Sequence, residues 1–488
     1  MARTKATHTP DICVIGAGSG GLVVAAAAAS FGVDVVLIEK GKMGGDCLNY
    51  GCVPSKAIIA AGKHAHAMRK GAAFGVSLPE GVEPHVDFGA VNDHIQSVIA
   101  TIAPMDSQER FEGLGVTVLR EHGRFIDART VQAGDAIIRA RRFVVATGSA
   151  PFVPPIDGIE DVAYETNETL FERREAPGHL IVIGGGPIGM EMAHAHARLG
   201  AQVTVVEGET ALGKDDPELA RIAIDAIRAD GVDVRERTRV AKLERGEGGA
   251  SAKAQGVRVH VETQDGKDVI EGDTLLIATG RAATVQDLGL DEAGIEHTRK
   301  GITVGANLRT SNRRVYAVGD VHGGLQFTHM AGYEAGVVIR SLLFRLPAKA
   351  DTSIIPWATY TEPELANVGL TEAAARDRHG DRFAIHRFPF AENDRAQAER
   401  KASGLVKVIT KPDGTILGAG IVGPHAGETI HLFALALEKG MKLKDLAGYV
   451  APYPTLSEVG KRAATASLSH WPKKGWVRGV VKFLQSFG

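Results

Sequence analysis

Two cysteines close together carry the most distinctive chemistry of this sequence. Cys47 and Cys52 are separated by four residues, and the only other cysteine, Cys13, lies in an apolar segment that predicts inert packing. Three cysteines cannot form a stabilising disulfide framework, and in a reducing compartment a close pair is more often catalytic or metal-binding. The partner ligands of a tetrahedral zinc site are missing nearby, so no metal site is predicted. If the segment after Gly51 is helical, Cys47 and Cys52 are expected to lie at and within its first turn, where the helix dipole stabilises a thiolate, which favours a reversible disulfide.

The elements that would position this pair begin with a repeated strand–turn–helix pattern. The first glycine turn, Gly16 to Gly21, follows the apolar segment Asp11 to Ile15 and precedes an alanine-rich helix. The second glycine turn, Gly184 to Gly189, follows Leu180 to Ile183 and precedes a helix through Leu199. One such turn alone is weak evidence, but two copies in the same context predict an internal repeat of a dinucleotide-binding domain.

An acid ends the second strand of each repeat. Glu39 and Glu207 each lie 23 residues beyond the first glycine of their turn. Glycines let the backbone approach a pyrophosphate, the helix N-terminus offers unpaired N–H groups, and the acid accepts hydrogen bonds from ribose hydroxyls. The pattern therefore predicts two bound dinucleotides. The glycines concerned are Gly16, Gly18 and Gly21 in the first turn, and Gly184, Gly186 and Gly189 in the second.

Three further apolar strands deliver candidate cofactor residues at their carboxyl ends, where open α/β sheets hold ligands. Two of them run into the same tripeptide, Ala-Thr-Gly, which supplies Thr147 and Gly148 in the first repeat and Gly280 in the second. The third ends on Gly319 and Asp320. These residues are predicted to bind cofactor.

Composition excludes several classes of protein. The formal charge of -2 gives no global attraction to nucleic acid, so no nucleic-acid partner is expected. No run of about 18 apolar residues is present, and Met1 to Pro10 lacks the apolar segment of a signal peptide, which predicts a cytoplasmic protein. The length indicates several domains.

Together, the cysteine segment Gly44 to Lys56 and the two glycine turns resemble the pyridine nucleotide–disulfide oxidoreductases, the family of dihydrolipoamide dehydrogenase, glutathione reductase and mercuric reductase. The resemblance runs from Asp11 to about Thr465. It implies an α/β fold of glutathione-reductase type, with two Rossmann-like domains, the NAD domain inserted in the FAD domain, and a C-terminal α+β dimerisation domain. The expected boundaries are 1–160 and 285–350 for the FAD-binding domain, 161–284 for the NAD(P)-binding domain, 351–465 for the dimerisation domain, and 466–488 for a basic amphipathic tail.

The resemblance also implies roles for individual residues. FAD would be held by the first glycine turn, with Glu39 and Asp320, and a nicotinamide cofactor by the second, with Glu207. Cys52 would be the thiolate beside the flavin and Cys47 the thiol that attacks the acceptor. Lys56 would lie near the reactive flavin nitrogen and pair with Glu191. Because Glu207 repels a 2′-phosphate, NADH is favoured over NADPH.

The chain departs from the family at one catalytic position. Disulfide-reducing members carry a His-Pro-Thr stretch whose histidine is oriented by a glutamate, whereas this chain has Tyr453 in that place and retains Glu458. A phenol with a pKa of about 10 cannot serve as a ready base near neutrality. A tyrosine there is similar to mercuric reductase, although no cysteine follows Cys52.

The resulting hypothesis is a homodimeric, FAD-dependent NAD(P)H oxidoreductase that passes electrons through Cys47 and Cys52 to a disulfide, a metal ion or a small oxidant. The alternative is a membrane-surface electron-transfer or redox-sensing flavoprotein with a protein or quinone partner. That alternative rests on the tail, where Trp476, Val480, Phe483, Leu484 and Phe487 follow one helical face. Packing of this helix onto its own dimer is the other explanation.

Overall fold

The computed structural model describes residues 6–246, 256–469 and 471–487. The chain forms two compact units: residues 1–185, 195–208 and 237–352 make up the first, and residues 186–194, 209–236 and 353–488 make up the second. The first five residues of the predicted FAD domain, and residues 470 and 488 of the predicted tail, lie outside the described residues. The domain boundaries predicted from the sequence stay predictions.

Most strands are short and apolar, as expected for α/β sheets whose faces are covered by helices. In chain order the strands are β1 (Thr7–His8), β2 (Ile12–Ile15), β3 (Val35–Ile38), β4 (Thr117–Leu119), β5 (Gly123–Asp127), β6 (Thr130–Ala133), β7 (Ala136–Ile138), β8 (Arg142–Val145), β9 (Ser149–Pro151), β10 (His179–Ile183), β11 (Gln202–Val206), β12 (Asp233–Arg235), β13 (Arg239–Gly246), β14 (Gly256–Thr263), β15 (Gly266–Gly272), β16 (Thr274–Ile277), β17 (Arg281–Ala283), β18 (His297–Thr298), β19 (Gly301–Ile302), β20 (Val315–Ala317), β21 (Trp357–Thr359), β22 (Glu364–Gly369), β23 (Ala384–Pro389), β24 (Leu405–Thr410) and β25 (Ile416–Gly423).

The helices include one after each of the two glycine turns that the sequence singled out. They are α1 (Ser19–Ser30), α2 (Gly45–Asn49), α3 (Cys52–Lys70), α4 (Phe88–Ile102), α5 (Gln108–Gly113), α6 (Pro187–Arg198), α7 (Pro217–Ala229), α8 (Thr328–Phe344), α9 (Glu372–His379), α10 (Asp394–Ala398), α11 (Ala426–Glu438), α12 (Asp445–Gly448), α13 (Glu458–Ser467) and α14 (Gly475–Leu484).

The first unit is built around a five-stranded sheet in the order β20-β8-β2-β3-β4, in which every neighbouring pair is parallel. All four residues of β2 and of β3 are buried, because helices α1 and α8 cover one face of the sheet and strands β5, β6 and β7 cover the other. The strand order places the carboxyl ends of β2, β8 and β20 side by side. The first glycine turn, Thr147 and Asp320 follow these three strands, so the sheet brings them to one edge, as the sequence predicted.

A second parallel arrangement in the first unit contains β10, which pairs with β11 on one side and β16 on the other. This repeats the pattern of β2 between β3 and β8. Smaller sheets complete the unit, in the orders β1-β7-β6-β5 and β13-β14-β15, with the pairs β17-β9 and β18-β19.

The second unit contains a five-stranded antiparallel sheet in the order β21-β22-β25-β24-β23. Buried residues of this sheet, of α11 and of α13 share one hydrophobic core, which includes Phe390, Ile421, Phe433 and Val459. The change from parallel to antiparallel pairing agrees with the predicted α+β character of this part of the chain. Within the described residues, no helix is long and apolar enough to cross a membrane.

Candidate active site at the cysteine pair

The two cysteines lie on separate helices. Cys52 is the first residue of α3. The N-cap residue of this helix, Gly51, has no side chain, so no capping hydrogen bond reaches the backbone N–H groups of the first turn. Cys47 lies instead in the short helix α2. The expectation that both thiols belong to the first turn of one helix is therefore right for Cys52 and wrong for Cys47. Helix α2 ends at Asn49, and Tyr50, which has a non-helical φ of -141°, separates it from α3.

Both cysteines carry free thiols in this structure, Cys52 exposed and Cys47 half-buried. A hydrogen bond between the two, reinforced by burial and by the neighbouring charges, holds the pKa of the Cys47 thiol well above its usual range. Thr328 Oγ1, at the start of α8, lies 3.4 Å from Cys52 Sγ. The raised pKa favours a protonated Cys47 thiol in the reduced pair.

A charged network adjoins the cysteines and was not predicted from the sequence. Asp46 Oδ1 lies 3.1 Å from Arg281 Nη2 and accepts a hydrogen bond from Asn167 Nδ2, also at 3.1 Å. The carboxylate of Asp46 is one of the groups that raise the pKa of Cys47. Asp46 directly precedes Cys47, and Arg281 follows the second Ala-Thr-Gly tripeptide, but no spacing in the sequence connects these two positions.

Arg281 links this network to the predicted flavin-binding acid. Its Nε donates to Ser149 Oγ at 2.7 Å, and Ser149 Oγ in turn donates to Asp320 Oδ2 at 2.5 Å. Burial raises the pKa of Asp320, against the hydrogen bond from Ser149 and the charge of Arg281, which lower it. Arg281 therefore holds carboxylates on both of its sides, and its side chain is only 11% exposed.

The first glycine turn has the geometry that a pyrophosphate needs. Gly16 has φ +106°, and a Cβ added there would lie 2.3 Å from the carbonyl oxygen of Ala146. A Cβ on Gly21 would lie 1.9 Å from the oxygen of Gly16, whereas one on Gly18 would meet nothing closer than 4.0 Å. Gly16 and Gly21 thus permit close packing of strand and helix, and Gly18 keeps the outer side of the turn open. Gly18 is also the N-cap of α1 and has no side-chain cap, so the turn presents free N–H groups and fits a dinucleotide.

The two acids predicted to bind ribose hold the turns themselves. Glu39 Oε2 accepts the N–H of Ala17 at 2.6 Å, and Glu207 Oε2 accepts the N–H of Gly185 at the same distance. A carboxylate has further lone pairs for ribose hydroxyls. Each acid is therefore placed beside its glycine turn, as the repeat predicted.

The second glycine turn repeats the first in detail. Gly184 has φ +110°, and a Cβ there would lie 2.4 Å from the carbonyl oxygen of Ala278. Gly186 is open, with nothing within 4 Å of an added Cβ, and the buried Gly189 lies inside α6. The equivalence of Gly16 with Gly184, and of Ala146 with Ala278, supports the repeat at the level of single contacts.

The remaining predicted cofactor residues shape the sheet edges. Thr147 Oγ1 donates a hydrogen bond to the carbonyl oxygen of Thr284 at 2.8 Å, and the backbone N–H of Thr284 donates to the carbonyl oxygen of Gly148 at 2.9 Å. Gly280 accepts from the N–H of Phe152 at 3.0 Å. The turn before Asp320 is held by Glu334, which accepts the N–H of Gly319 at 2.6 Å. Sequence reasoning missed this buried glutamate.

Lys56 and Glu191 were predicted to pair beside the flavin. Lys56 lies on α3, one turn after Cys52, and its Nζ donates to Ser55 Oγ at 3.3 Å. Glu191 lies on α6, is 5% exposed, and accepts the N–H of Tyr360 at 2.8 Å. Their ion pair stays a prediction.

Tyr453 has a different partner from the one expected. Its hydroxyl donates to Asp394 Oδ2 at 3.0 Å, and this bond, together with the charge of Asp394, raises the pKa of the phenol. Glu458 Oε1 instead accepts from Arg462 Nε at 3.3 Å, and its buried Oε2 has no hydrogen-bond partner among the described residues. Arg462 Nη2 also lies 3.4 Å from Asp394 Oδ2. Glu458 therefore does not orient residue 453 here, and sequence reasoning missed Asp394.

The fold and the site define a flavoprotein disulfide reductase. The family model described as pyridine nucleotide-disulphide oxidoreductase matches residues 10–335, and the model of that family's dimerisation domain matches residues 355–464. The chain belongs to this family, whose members are enzymes that use FAD and NAD(P)H and form homodimers.

Individual relatives are similar over almost the whole chain. A mercuric reductase of Lysinibacillus sphaericus is 33% identical over 457 residues, which cover 93% of this chain and 82% of the relative. A dihydrolipoyl dehydrogenase of Geobacillus stearothermophilus is 35% identical over 465 residues, covering 94% and 96%. Among solved structures, the Cu(II) complex of the HOCl-induced flavoprotein disulfide reductase RclA from Escherichia coli superposes with a TM-score of 0.81 at 26% identity, covering 92% of this chain and 98% of that one.

Proposed function

We propose that this enzyme oxidises NADH and delivers the electrons through Cys47 and Cys52 to a metal ion or a small oxidant, in preference to a lipoamide-type disulfide. The observation that carries the proposal is the hydrogen bond from Tyr453 to Asp394, because it holds a phenol in the protonated state where disulfide-reducing relatives have a titrating histidine. Reduction of a disulfide needs a group that protonates the leaving thiolate near neutrality. A metal ion or a small oxidant has no such leaving thiolate.

The residues near the cysteine pair divide the chemistry between them. Bound FAD supplies hydride acceptance from the nicotinamide and two-electron reduction of the Cys47–Cys52 disulfide. Cys52 lies at the N-terminus of α3, where the helix dipole stabilises a thiolate, and is the sulfur suited to face the flavin. Cys47 keeps its proton until it meets the acceptor. Reduction of a metal ion by two electrons returns the Cys52 thiolate and the Cys47 thiol to a disulfide and releases one proton, that of Cys47.

Residues that would hold FAD are the first glycine turn, Glu39 and Asp320. The network of Asp46, Arg281 and Ser149 fixes Asp320 relative to the cysteine loop, so that one rigid hydrogen-bonded chain orients both. Lys56, one turn into α3, is proposed to lie near the reactive flavin nitrogen and to pair with Glu191.

NADH is the proposed electron donor. The carboxylate of Glu207 lies beside the second glycine turn, where it accepts from ribose hydroxyls and repels a 2′-phosphate. Arg281, the arginine that follows Gly280, is held by Asp46 and Ser149 and is not available as a phosphate clamp. The relatives' names support a metal ion as acceptor, since mercuric reductases are prominent among them.

A second candidate is electron delivery at a membrane surface to a protein or quinone. It is favoured by the tail, in which no residue of α14 is buried. A cytoplasmic location remains part of both proposals.

The test is an anaerobic turnover screen with NADH and, in separate reactions, lipoamide, glutathione disulfide, mercuric ion, cupric ion and quinones. We expect at least one metal ion or small oxidant to be reduced about tenfold or more faster than lipoamide, in line with the loss of general acid–base assistance. Cys47→Ser should abolish the metal-ion rate. Rapid lipoamide reduction, with metal ions inert, contradicts the proposal, and a quinone rate that survives Cys47→Ser favours the second candidate.

A further inference from the structure

The tail exposes a set of large apolar side chains that would ordinarily be buried. None of the residues of α14 is buried, and the two aromatic side chains near its ends, Trp476 and Phe483, are 62% and 63% exposed. We call the following exposed residues the tail surface: Trp471, Trp476, Val480, Phe483, Leu484 and Phe487. Contiguous exposed apolar residues of this size mark an interaction site.

The tail surface occupies one side of the helix. Residues three, four and seven apart share a face of an α-helix, so Trp476, Val480 and Phe483 lie along one stripe of α14. Phe487, in the 3₁₀ turn that follows the helix, extends this stripe by packing against Phe483. Arg478 and Lys482, four residues apart, lie on the opposite side. The helix is thus divided lengthwise into an apolar half and a basic half.

The charge of the tail is one-sided. Residues 466–488 contain Lys473, Lys474, Arg478 and Lys482 and no aspartate or glutamate, whereas the whole chain has a formal charge of -2. A helix that is apolar on one side and purely basic on the other complements a surface that is apolar inside and anionic outside.

A pair of aromatic side chains in mutual contact lies at each end of the tail surface. The rings of Trp471 and Trp476 pack edge to face with centroids 6.0 Å apart, and Lys474 Nζ lies 5.0 Å from the Trp471 ring centroid. Phe483 and Phe487 pack in the same way at 4.9 Å. Tryptophan beside lysine suits the boundary between headgroups and acyl chains. A helix from Gly475 to Leu484 is too short to span a bilayer and would lie in its plane.

We propose that the tail surface docks this enzyme onto an anionic phospholipid bilayer, with the apolar side in the headgroup boundary and the basic residues against lipid phosphates. The proposal concerns location and is independent of which acceptor the cysteine pair reduces. It gives the tail a role beyond the fold of the second unit.

Vesicle flotation with the FAD-loaded dimer tests it. The full-length protein is mixed with vesicles of phosphatidylcholine alone, or with vesicles in which part of the phosphatidylcholine is replaced by phosphatidylglycerol. We expect binding to the anionic vesicles only, weakening as salt shortens the Debye length from about 10 Å at 0.1 M to about 3 Å at 1 M. Equal binding to both vesicles, or binding to neither, overturns the proposal.

Two variants separate the charge from the apolar contribution. Each basic residue near an anionic membrane contributes about a fivefold factor in partitioning, so Arg478→Glu with Lys482→Glu should reduce binding by about 30-fold or more. Trp476→Ser with Phe483→Ser should also abolish binding, because the apolar side is removed. The matched control is Arg378→Glu with Arg382→Glu, an exposed pair with the same spacing outside the tail, which should bind as wild type does.

NADH oxidation with a soluble acceptor and the mass of the dimer are measured on every variant. Both should stay at wild-type values, because the tail surface is proposed to contact lipid only. If the apolar variant falls apart to monomers, or if the control pair loses vesicle binding as fully as the tail pair, the tail surface is a subunit contact or the attraction is unspecific, and the proposal is wrong.

Discussion

The first glycine turn and the cysteine loop, which lie in the first unit, differ in kind from the side chains around Tyr453 in the second. In the first region the decisive contacts are made by backbone, such as the carbonyl of Ala146 that leaves no room for a Cβ on Gly16. Around Tyr453 they are made by exposed side chains, and the phenol itself is 68% exposed. Backbone contacts limit which residues a position tolerates, whereas a side-chain cluster can be exchanged. We propose that the first region fixes the cofactor chemistry of the family and that the second region sets the choice of acceptor.

The largest effect should come from the first glycine turn. Gly16→Ala places a Cβ 2.3 Å from a carbonyl oxygen at φ +106°, so the free energy of unfolding should fall by about 2 kcal/mol or more and FAD should be lost. Gly18→Ala is the matched variant, because its Cβ has room, and it should fold normally yet bind FAD more weakly through a blocked approach to the pyrophosphate. Thermal unfolding and flavin content measure both. Normal flavin content in the two variants would break the claim that backbone governs this region.

The ratio of NADH to NADPH efficiency probes the second glycine turn. Hydrogen bonds to charged groups are worth about 1.5–3 kcal/mol, so NADH should exceed NADPH in kcat/KM by about 10- to 100-fold. Glu207→Ala should bring the two values close together, mainly by lowering the efficiency with NADH. Glu209→Ala is the neighbouring control and should leave the ratio unchanged. Comparable efficiencies in the wild type would show that Glu207 does not read the ribose.

Substitution of Tyr453 tests whether the side chains of the second region determine the choice of acceptor. Tyr453→His introduces a group that titrates near neutrality, and lipoamide turnover should rise at least several-fold, below the full range of about 10² to 10⁴ because Glu458 is engaged by Arg462. Tyr453→Phe should leave the slow lipoamide rate unchanged, and metal-ion reduction should not gain in either variant. Rapid lipoamide turnover by the wild-type enzyme would contradict the role assigned to Tyr453, and another residue such as His329 would then have to supply the proton.

The smallest expected effect is a shift in a pH profile. The negative charge of Asp46 is one of the causes that raise the pKa of Cys47, since it disfavours a second negative charge nearby. Asp46→Asn removes that charge, so the pKa of Cys47 should fall, and the alkaline rise in acceptor reduction should move to lower pH by up to about one unit. Asp127→Asn, an exposed carboxamide variant on β5, should leave the profile in place. A shift toward higher pH would contradict the assigned sign.

Sequence alone predicted what depends on local pattern. Apolar strands followed by glycine turns and an acid 23 residues on identify both repeats, and the position of Cys52 follows from Gly51 and the helix after it. The network of Asp46, Asn167 and Arg281 could not be predicted this way, because its members are far apart in the chain and no spacing connects them.

The hydrogen-bond partner of Tyr453 could not be predicted either, because it is also distant in the sequence. Asp394 lies 59 residues earlier, at the start of α10, and only the folded chain brings it to the phenol. Glu458, the expected partner, is near in sequence and is engaged by Arg462 on the same helix, four residues on. The short helix α2, which carries Cys47, was not predicted, because its five residues are too few to show a helical period.

The central claim is that Cys52 is the thiolate beside the flavin and Cys47 the thiol that meets the acceptor. Anaerobic titration of the FAD-loaded protein with about two electrons tests it directly, because a thiolate donor against the flavin ring produces a long-wavelength absorption band. We expect the band in the wild type, its loss in Cys52→Ser, and its presence without prior reduction in Cys47→Ser. A Cys52→Ser protein that keeps the band while Cys47→Ser loses it would reverse the two roles and contradict the account.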